Sequence, residues 1–230
     1  MYSIAAMCSL QNWEFEYICK TIPKDLKLNP SGNFKAALRF GMQYIELPPE
    51  LYQQKISSLS SSNANIIIAQ GGADKVAYYG IQKLAQEISA SMSTYSTNKL
   101  SIITPSGTGT TALFLSILLP QFEIITTPTV GSTEYLRAQM SNLRDIPKNL
   151  TILEPAKKYR FATPHKDLLE CYGDLKKCGI EFDLIYAPVM WLTLLKYIDR
   201  FDHDLLYVHS GGTSGNETML ERYRAKGLTL

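Results

Sequence analysis

The sequence predicts an α/β protein built on a parallel sheet with helices on both faces. Two features indicate this class: short apolar runs alternate with longer amphipathic runs, and glycine-rich loops separate them. The clearest unit begins with the apolar run 100–103, turns through residues 104–111 and continues into the apolar run 112–119. We interpret this unit as strand, tight loop and helix, and the rest of the chain is organised around it.

The loop of this unit has the composition of an anion-binding turn. Gly107 and Gly109 permit positive φ angles and a close approach to a ligand, and Ser106, Thr108 and Thr110 add hydroxyl groups. Unpaired N–H groups at the start of the following helix carry partial positive charge into the same concavity. The loop contains no lysine and lacks the GxGxxG spacing, so it is not a Walker A loop. It predicts a phosphate site or, alternatively, a tight turn that binds nothing.

Composition and charge exclude several classes of function. The chain has 230 residues, of which 45% are hydrophobic and 19% charged, and its net charge is +2. Lysine and arginine do not cluster on one segment, which argues against a nucleic-acid surface. No secretory signal and no apolar run long enough to cross a bilayer are visible. We therefore expect a cytoplasmic protein that binds neither nucleic acid nor membrane.

The cysteines and histidines do not predict a metal site. Cys8, Cys19, Cys171 and Cys178 include no CxxC pair, and the three histidines do not cluster with cysteine or carboxylate ligands. We expect all four cysteines to be reduced and most of them to lie in the core.

The N-terminal part of the chain, up to about residue 60, predicts a smaller α/β domain. A helix over residues 1–10 has an apolar face but no capping residue before it. Residues 12–20 alternate apolar and polar side chains, as a half-buried strand does. Helices are predicted over residues 34–45 and 50–59, and the serine-rich segment 57–62 is interpreted as a loop between domains.

Residues 61–230 predict a larger α/β domain. Its strands are expected at residues 65–69, 100–103, 124–125, 151–153, 182–186 and 205–208. Its helices are expected at residues 75–88, 112–119, from about 134, and at 164–178, 190–198 and 216–226. The loops after residues 69, 104, 186 and 208 are rich in Gly, Ser and Thr and poor in charge. Because ligands of open parallel sheets bind beyond the carboxyl ends of the strands, these loops predict a site for a phosphorylated ligand.

Four of these loops, taken together, resemble one enzyme family. The matching pieces, in order along the chain, are Gln70-Gly71-Gly72-Ala73, Ser106-Gly107-Thr108-Gly109-Thr110, Tyr186 before Pro188, and His209-Ser210-Gly211-Gly212. They resemble the pyridoxal-phosphate enzymes of the tryptophan-synthase-β type, in the branch of 1-aminocyclopropane-1-carboxylate deaminase and D-cysteine desulfhydrase. The resemblance covers nearly the whole chain. It implies fold type II, with two lobes and parallel or mixed sheets.

The resemblance also implies a role for each matching residue. The run Ser106–Thr110 matches the loop that holds the cofactor phosphate. Ser210 matches a Thr or Ser that faces the pyridine nitrogen, where a hydroxyl leaves that nitrogen largely unprotonated and tempers the ring as an electron sink. Tyr186 matches a tyrosine that lies beside the substrate. The alternative for Tyr186 is a core tyrosine whose hydroxyl is satisfied within the protein.

By the same resemblance, part of the family's site would precede residue 1. The family's Schiff-base lysine lies in a Gly-Asn-Lys motif, and a Ser-Asn motif that opens a helix follows it; Met1–Ala6 matches the interior of that helix. Lys35 is rejected as a substitute because its segment follows the strand predicted at residues 12–20, and Lys75 is interpreted as a surface lysine. We therefore expect a chain truncated at its N-terminus, with apolar surface exposed on its first helix and strand, and association or poor solubility.

The sequence leaves three functions open. The first is a pyridoxal-phosphate-dependent deaminase or lyase of a small amino acid, a homodimer in its full-length form, with the Schiff-base chemistry absent from this chain. Ala187 and Val189 replace a polar residue and a lysine of the family, and Thr213 replaces an apolar residue, which disfavours a cyclopropane deaminase relative to a desulfhydrase-like lyase. The second is a non-catalytic remnant or regulatory binder of a phosphorylated ligand. The third is a nucleotide-binding α/β protein.

Overall fold

The structure, a computed structural model, describes residues 1–59, 64–92 and 99–230. The chain divides into two compact units, Met1–Ile67 with Ser214–Glu221, and Ile68–Thr213 with Arg222–Leu230. Both the domain boundary predicted at residue 60 and part of the predicted serine-rich linker lie outside the described residues. Among the described residues, no helix is both long and apolar enough to cross a membrane.

The first unit is a two-stranded parallel sheet with short helices around it. Its elements are α1 (Tyr2–Leu10), β1 (Glu16–Cys19), α2 (Lys24–Leu28), α3 (Gly32–Arg39), β2 (Gln43–Glu46) and α4 (Pro49–Ser58). Strands β1 and β2 pair in parallel, with Tyr17 opposite Tyr44. Its core includes Ala5, Phe34 and Ala37, so α1 and α3 supply much of the buried surface. The helices predicted at residues 1–10 and 50–59 are confirmed.

The helix predicted at residues 34–45 is wrong in its second half. Helix α3 ends at Arg39, Gly41 has a φ angle of 84°, and the chain continues as β2. Glycine adopts this left-handed conformation without steric cost, and a residue in it ends a helix. The strand predicted at residues 12–20 is also shorter than expected, because only Glu16–Cys19 finds a partner strand.

Several large apolar side chains of the first unit are exposed. Leu10, Trp13 and Leu28 are exposed over 81%, 53% and 78% of their surfaces. Exposure at Leu10 and Trp13 agrees with the apolar surface expected on the first helix and strand. The association expected from it stays a prediction.

The second unit contains a four-stranded parallel sheet with the order β5-β4-β3-β6. Its strands are β3 (Leu100–Ile103), β4 (Glu123–Thr126), β5 (Leu150–Ile152) and β6 (Asp204–Tyr207). Ile102 lies opposite Ile124 on one side and Leu206 on the other. Ile102 and Ile124 are fully buried, which is typical of a parallel sheet with helices on both faces. The predicted α/β class is confirmed.

Helices cover the sheet of the second unit. They are α5 (Ala77–Met92), α6 (Thr110–Leu118), α7 (Thr133–Ser141), α8 (Lys166–Lys177) and α9 (Ala187–Lys196). One core cluster joins α5, α6 and α7 to the sheet, and a second joins α9 to Ile103 and Ile125. The last helix, α10 (Asn216–Ala225), begins in the first unit and ends in the second.

The strand predicted at residues 65–69 does not form. These residues are irregular, and Ile66 and Ile68 are exposed over 76% and 49% of their surfaces. Three consecutive isoleucines indicated a buried strand, but this segment pairs with no strand among the described residues. The apolar run alone therefore gave the wrong prediction.

The strand predicted at residues 182–186 does not form either. The Asp183 carboxylate accepts the backbone N–H groups of Ile185 and Tyr186, at 2.9 and 2.6 Å. A parallel strand would use such N–H groups for its ladder. Here they turn the chain into α9 instead, so the segment is a loop that leads into a helix.

All four cysteines are free, but their accessibility differs. Cys8 and Cys19 are buried, Cys171 is partly buried and Cys178 is exposed after the end of α8. The expectation of core cysteines is therefore correct for Cys8 and Cys19 and wrong for Cys178. Burial raises the pKa of the Cys171 thiol to about 12, so at neutral pH it is a thiol and not the reactive thiolate.

We expect one thiol per chain to react rapidly with a maleimide in the native protein at neutral pH, and all four to react after denaturation. Cys178→Ser is expected to remove the fast phase, and Cys171→Ser, the matched control within α8, to leave it unchanged. Mass spectrometry of the labelled peptides measures both. Rapid labelling of Cys171 in the folded protein would contradict its burial.

Candidate functional site

Two of the predicted site loops follow adjacent strands of the sheet. The loop after β3 carries Ser106–Thr110, and the loop after β6 carries Ser210. Strands β3 and β6 pair in parallel, with Ile103 opposite Tyr207. Because the carboxyl ends of parallel neighbours lie at one edge of a sheet, both loops leave the sheet at the same edge.

Ser106 fixes the first loop to the neighbouring strand. Its N–H donates to the Thr127 carbonyl at 3.0 Å, and its carbonyl accepts the Thr129 N–H at 2.8 Å. Its hydroxyl oxygen lies 2.6 Å from Thr126 Oγ1, which donates its own proton to the Thr104 carbonyl. Ser106 is therefore the donor to Thr126. The N–H and the hydroxyl of Ser106 therefore both donate within the protein, and these hydrogen bonds hold the loop against the end of β4.

Beyond this support, the backbone from Gly107 to Ala112 keeps its N–H groups unpaired. None of them donates a hydrogen bond to another residue in the described part of the chain. The first N–H to be used is that of Leu113, which donates to the Gly109 carbonyl at 2.9 Å. Helix α6 also begins without a side-chain cap. Consecutive free N–H groups at a helix start can bind an anion; we call residues 107–112 the cradle.

Gly109 shapes the turn from the cradle into α6. Its φ angle is 80°, and a Cβ atom there would lie 2.7 Å from Met140 Cγ and 2.9 Å from Leu136 Cδ1. Both the backbone conformation and the packing against α7 therefore require glycine. The hydroxyl oxygens of Thr108 and Thr110 lie 2.9 Å apart, which joins the two sides of the turn.

The loop Gln70–Ala73 reaches the cradle although the described residues directly before it, 64–69, form no strand. Gly71, within a single 3₁₀ turn, has a φ angle of 70°. A Cβ atom on Gly71 would lie 2.7 Å from Thr108 Cγ2. The two loops are therefore in direct contact.

Tyr186 lies against the cradle from another side. A Cβ atom on Gly107 would lie 3.5 Å from Tyr186 Cε1 and 3.7 Å from its hydroxyl oxygen. Burial, and secondarily the Asp183 carboxylate, raises the pKa of the Tyr186 hydroxyl above its ordinary value. At neutral pH Tyr186 is therefore a neutral phenol that can donate or accept a hydrogen bond beside the cradle.

Asp183 connects Tyr186 to the start of α9. It is 4% exposed, and its carboxylate accepts the N–H groups of Ile185, Tyr186 and Ala187 at 2.9, 2.6 and 3.2 Å. This carboxylate satisfies N–H groups that the helix start leaves free. Our reading of the sequence missed Asp183; an aspartate a few residues before a proline at a helix start was the available signal.

The loop after β6 packs directly on this carboxylate. Gly211 approaches so closely that a Cβ atom there would overlap the Asp183 carboxylate group. The preceding residue, Ser210, is exposed, and its hydroxyl makes no hydrogen bond among the described residues. A continuous series of contacts therefore links the cradle to Ser210, through Gly107, Tyr186 and Asp183.

Aromatic rings support the end of β6, from which the Ser210 loop leaves. The Tyr207 ring stacks on Trp191 of α9, with centroids 5.3 Å apart and planes 5° from parallel. Phe182 contacts both of these rings and also the imidazole of His209. These contacts fix the strand end against α9.

The structure thus brings all the predicted site residues to one edge of one sheet. Two of the four predicted loops, those after residues 69 and 186, follow no strand, yet they contact the cradle through Gly71 and Tyr186. Ser106 differs from the others because its donor groups are already used within the protein. The roles of these residues toward a cofactor or substrate stay predictions.

No protein-family model matches this sequence, and no curated protein matches it. Solved structures do match. An ACC deaminase homologue matches with a TM-score of 0.75 at 15% identity, covering 98% of this chain and 73% of that one. A hydrogen sulfide-producing enzyme from Fusobacterium nucleatum gives 0.62 at 12% identity, covering 91% and 74%. An L-serine ammonia-lyase from Rhizomucor miehei gives 0.63 at 12% identity, covering 97% and 78%. The chain therefore has the α/β fold of this group, fold type II, as the four loops predict.

Proposed function

We propose that this chain binds pyridoxal 5′-phosphate, with the phosphate in the cradle. We further propose that it descends from a deaminase or lyase that acted on a small amino acid. The observation that carries the proposal is the run of unpaired N–H groups at the start of α6. This run lies at the sheet edge from which Ser210 also extends.

The cradle fits a phosphate ester by its chemistry. It offers backbone donors, the hydroxyl groups of Thr108 and Thr110 and the positive end of α6, and its own residues include no carboxylate. Hydrogen bonds from such donors to a charged oxygen are shorter and stronger than neutral ones. Gly107 and Gly109 carry no side chain that would cover the donors.

Two side chains complete the proposed site. The Ser210 hydroxyl would face the pyridine nitrogen, and as a neutral group it would leave that nitrogen largely unprotonated. The Tyr186 phenol would hold its proton beside the cradle and donate a hydrogen bond to substrate. Pyridoxal phosphate, when bound, supplies an electron sink that stabilises negative charge at the α-carbon of an amino acid.

We propose that binding is non-covalent in these 230 residues and that they carry no lyase activity alone. Lys35 lies exposed on α3 of the first unit, and Lys75 lies exposed before α5. Neither stands in a motif that the resemblance assigns to the Schiff-base lysine. Because neither lysine matches that motif, the second candidate, a regulatory binder of a phosphorylated ligand, is also favoured.

Pyridoxine 5′-phosphate separates these possibilities because it carries the ring and the phosphate but no aldehyde that surface lysines could trap. We expect calorimetric titration to show binding at least about tenfold tighter than that of pyridoxine, a difference of about 1.4 kcal/mol. As a control, borohydride treatment of the chain with pyridoxal phosphate is expected to modify no single lysine stoichiometrically.

Each other outcome has a definite meaning. Equal affinity for pyridoxine and its phosphate would contradict a phosphate site in the cradle. Equal affinity for pyridoxine 5′-phosphate and for unrelated phosphate esters would favour the second candidate. Stoichiometric reduction at one lysine would overturn the proposal of non-covalent binding.

A further inference from the structure

A cavity of about 500 Å³ opens on the second unit, outside the cradle. Arg160, Phe161 and Thr163 line one part of it, and Arg222 and Lys226, in and after the end of α10, line another. Three of the side chains around this cavity are therefore cationic, and none of its lining residues is acidic.

Two of the three cations around the cavity lack a carboxylate partner among the described residues. Neither Arg160 nor Lys226 forms an ion pair within the described part of the chain. Arg222 adds a third positive charge to the same concave surface. Like charges gathered around one concavity repel one another and create a field that attracts an anion.

The turn that presents Arg160 and Phe161 has an unusual backbone. Ala162 has a φ angle of 50°, in the left-handed region that residues with a Cβ atom rarely adopt. The Thr163 N–H closes the turn by donating to the Arg160 carbonyl at 3.1 Å. Such strain persists only where the surrounding structure holds it, and it clusters at ligand sites.

Phe161 belongs to both the cavity and the surroundings of the candidate site. Its ring lies edge-on to Tyr186, with centroids 5.7 Å apart, and Tyr186 lies against Gly107 of the cradle. An occupant of the cavity would therefore touch a ring that touches Tyr186.

We propose that this cavity is a second anion site, distinct from the cradle, and that it takes a phosphate group through Arg160, Arg222 and Lys226. A guanidinium group binds two phosphate oxygens at once, and a lysine ammonium adds a point charge. The volume is sufficient for a phosphate that carries a small organic group. Free phosphate and a phosphate monoester share this chemistry. The site does not depend on what the cradle binds.

The test compares two double variants. Arg160→Gln with Lys226→Gln removes two cations of the cavity. Arg144→Gln with Lys148→Gln, the matched control, removes two exposed cations elsewhere in the same unit. Inorganic phosphate and glycerol 3-phosphate are titrated into each protein by calorimetry at low ionic strength, with and without one equivalent of pyridoxine 5′-phosphate to fill the cradle.

We expect the cavity variant to lose about tenfold or more in affinity for phosphate and the control to change by less than about twofold. The affinity of the cradle for pyridoxine 5′-phosphate is expected to stay the same in both, and any weaker second binding of this phosphate ester is expected to disappear only in the cavity variant. Arg160→Lys, which keeps the charge but not the paired donors, is expected to fall between wild type and the double variant. Circular dichroism checks that each variant is folded.

The proposal is overturned if phosphate binds equally to wild type and the cavity variant. It is also overturned if the cavity variant loses pyridoxine 5′-phosphate in parallel with phosphate, because the two ligands would then share one site. If pyridoxine 5′-phosphate binds no variant, the cradle proposal fails, while a loss of phosphate confined to the cavity variant still supports this site. Tighter binding of glycerol 3-phosphate than of inorganic phosphate would support an ester as the occupant.

Discussion

Replacing Gly211 with alanine is expected to lower the free energy of unfolding by about 3 kcal/mol. The new Cβ atom would overlap the Asp183 carboxylate, which is 4% exposed and accepts three N–H groups at the start of α9. That carboxylate cannot turn away without leaving buried donors unpaired. Urea denaturation followed by tryptophan fluorescence measures the change, because Trp191 lies on α9.

Two further variants control this result. At Gly80, inside α5, a Cβ atom would meet nothing within 4 Å; Gly80→Ala is therefore expected to stabilise the protein by about 0.5–1 kcal/mol. Asp183→Ala combined with Gly211→Ala removes the overlap with the carboxylate and leaves a Cβ–Cβ contact of 2.8 Å. The double variant should therefore lose less stability than the sum of the single variants. Strict additivity would contradict the contact.

Gly109→Ala is expected to cost a similar amount, about 3 kcal/mol, for two separable reasons. An alanine at a φ angle of 80° is strained. Its Cβ atom would also press on Met140 and Leu136, which are both fully buried. The same change would displace the N–H groups of the cradle, so the affinity for pyridoxine 5′-phosphate should fall as well.

Gly179→Ala separates the two reasons. Gly179 has a φ angle of 89°, and a Cβ atom there would meet nothing within 4 Å. The free energy of unfolding that Gly179→Ala loses, about 1–2 kcal/mol, is therefore the cost of the left-handed backbone conformation alone. Unfolding curves of both variants give the packing contribution by difference. Equal losses would show that the contact between the cradle turn and α7 contributes nothing.

The central strands could be predicted because a strand that is buried on both faces is a short, continuous run of apolar residues. Around Ile102 and Ile124 the apolar runs are short and bounded by turn residues, and both side chains are fully buried. The same kind of run at residues 65–69 and 182–186 led to two strand predictions that are wrong. An apolar run indicates a potential strand, but only a partner strand and free N–H groups make it one.

The cradle could be predicted from composition, whereas its supports could not. Glycines and threonines before an apolar helix predict a tight turn with unpaired N–H groups, and the whole pattern lies within a few residues of sequence. Asp183 packs against Gly211, and Phe161 packs against Tyr186, and the members of each pair are more than twenty residues apart in the sequence. Such contacts leave no local pattern, and they become visible only when the chain is folded.

In the proposed phosphate site, mostly peptide groups would contact the ligand, and this determines which substitutions can test the site and which it can tolerate. Truncating Thr108 or Thr110 would leave every amide hydrogen in place, so an alanine scan would underestimate the site. Proline at Thr111, in the first turn of α6, deletes one donor where a helix accommodates the ring. A binding site of this construction also tolerates changes of side chain outside Gly109, as long as the path of the main chain is kept.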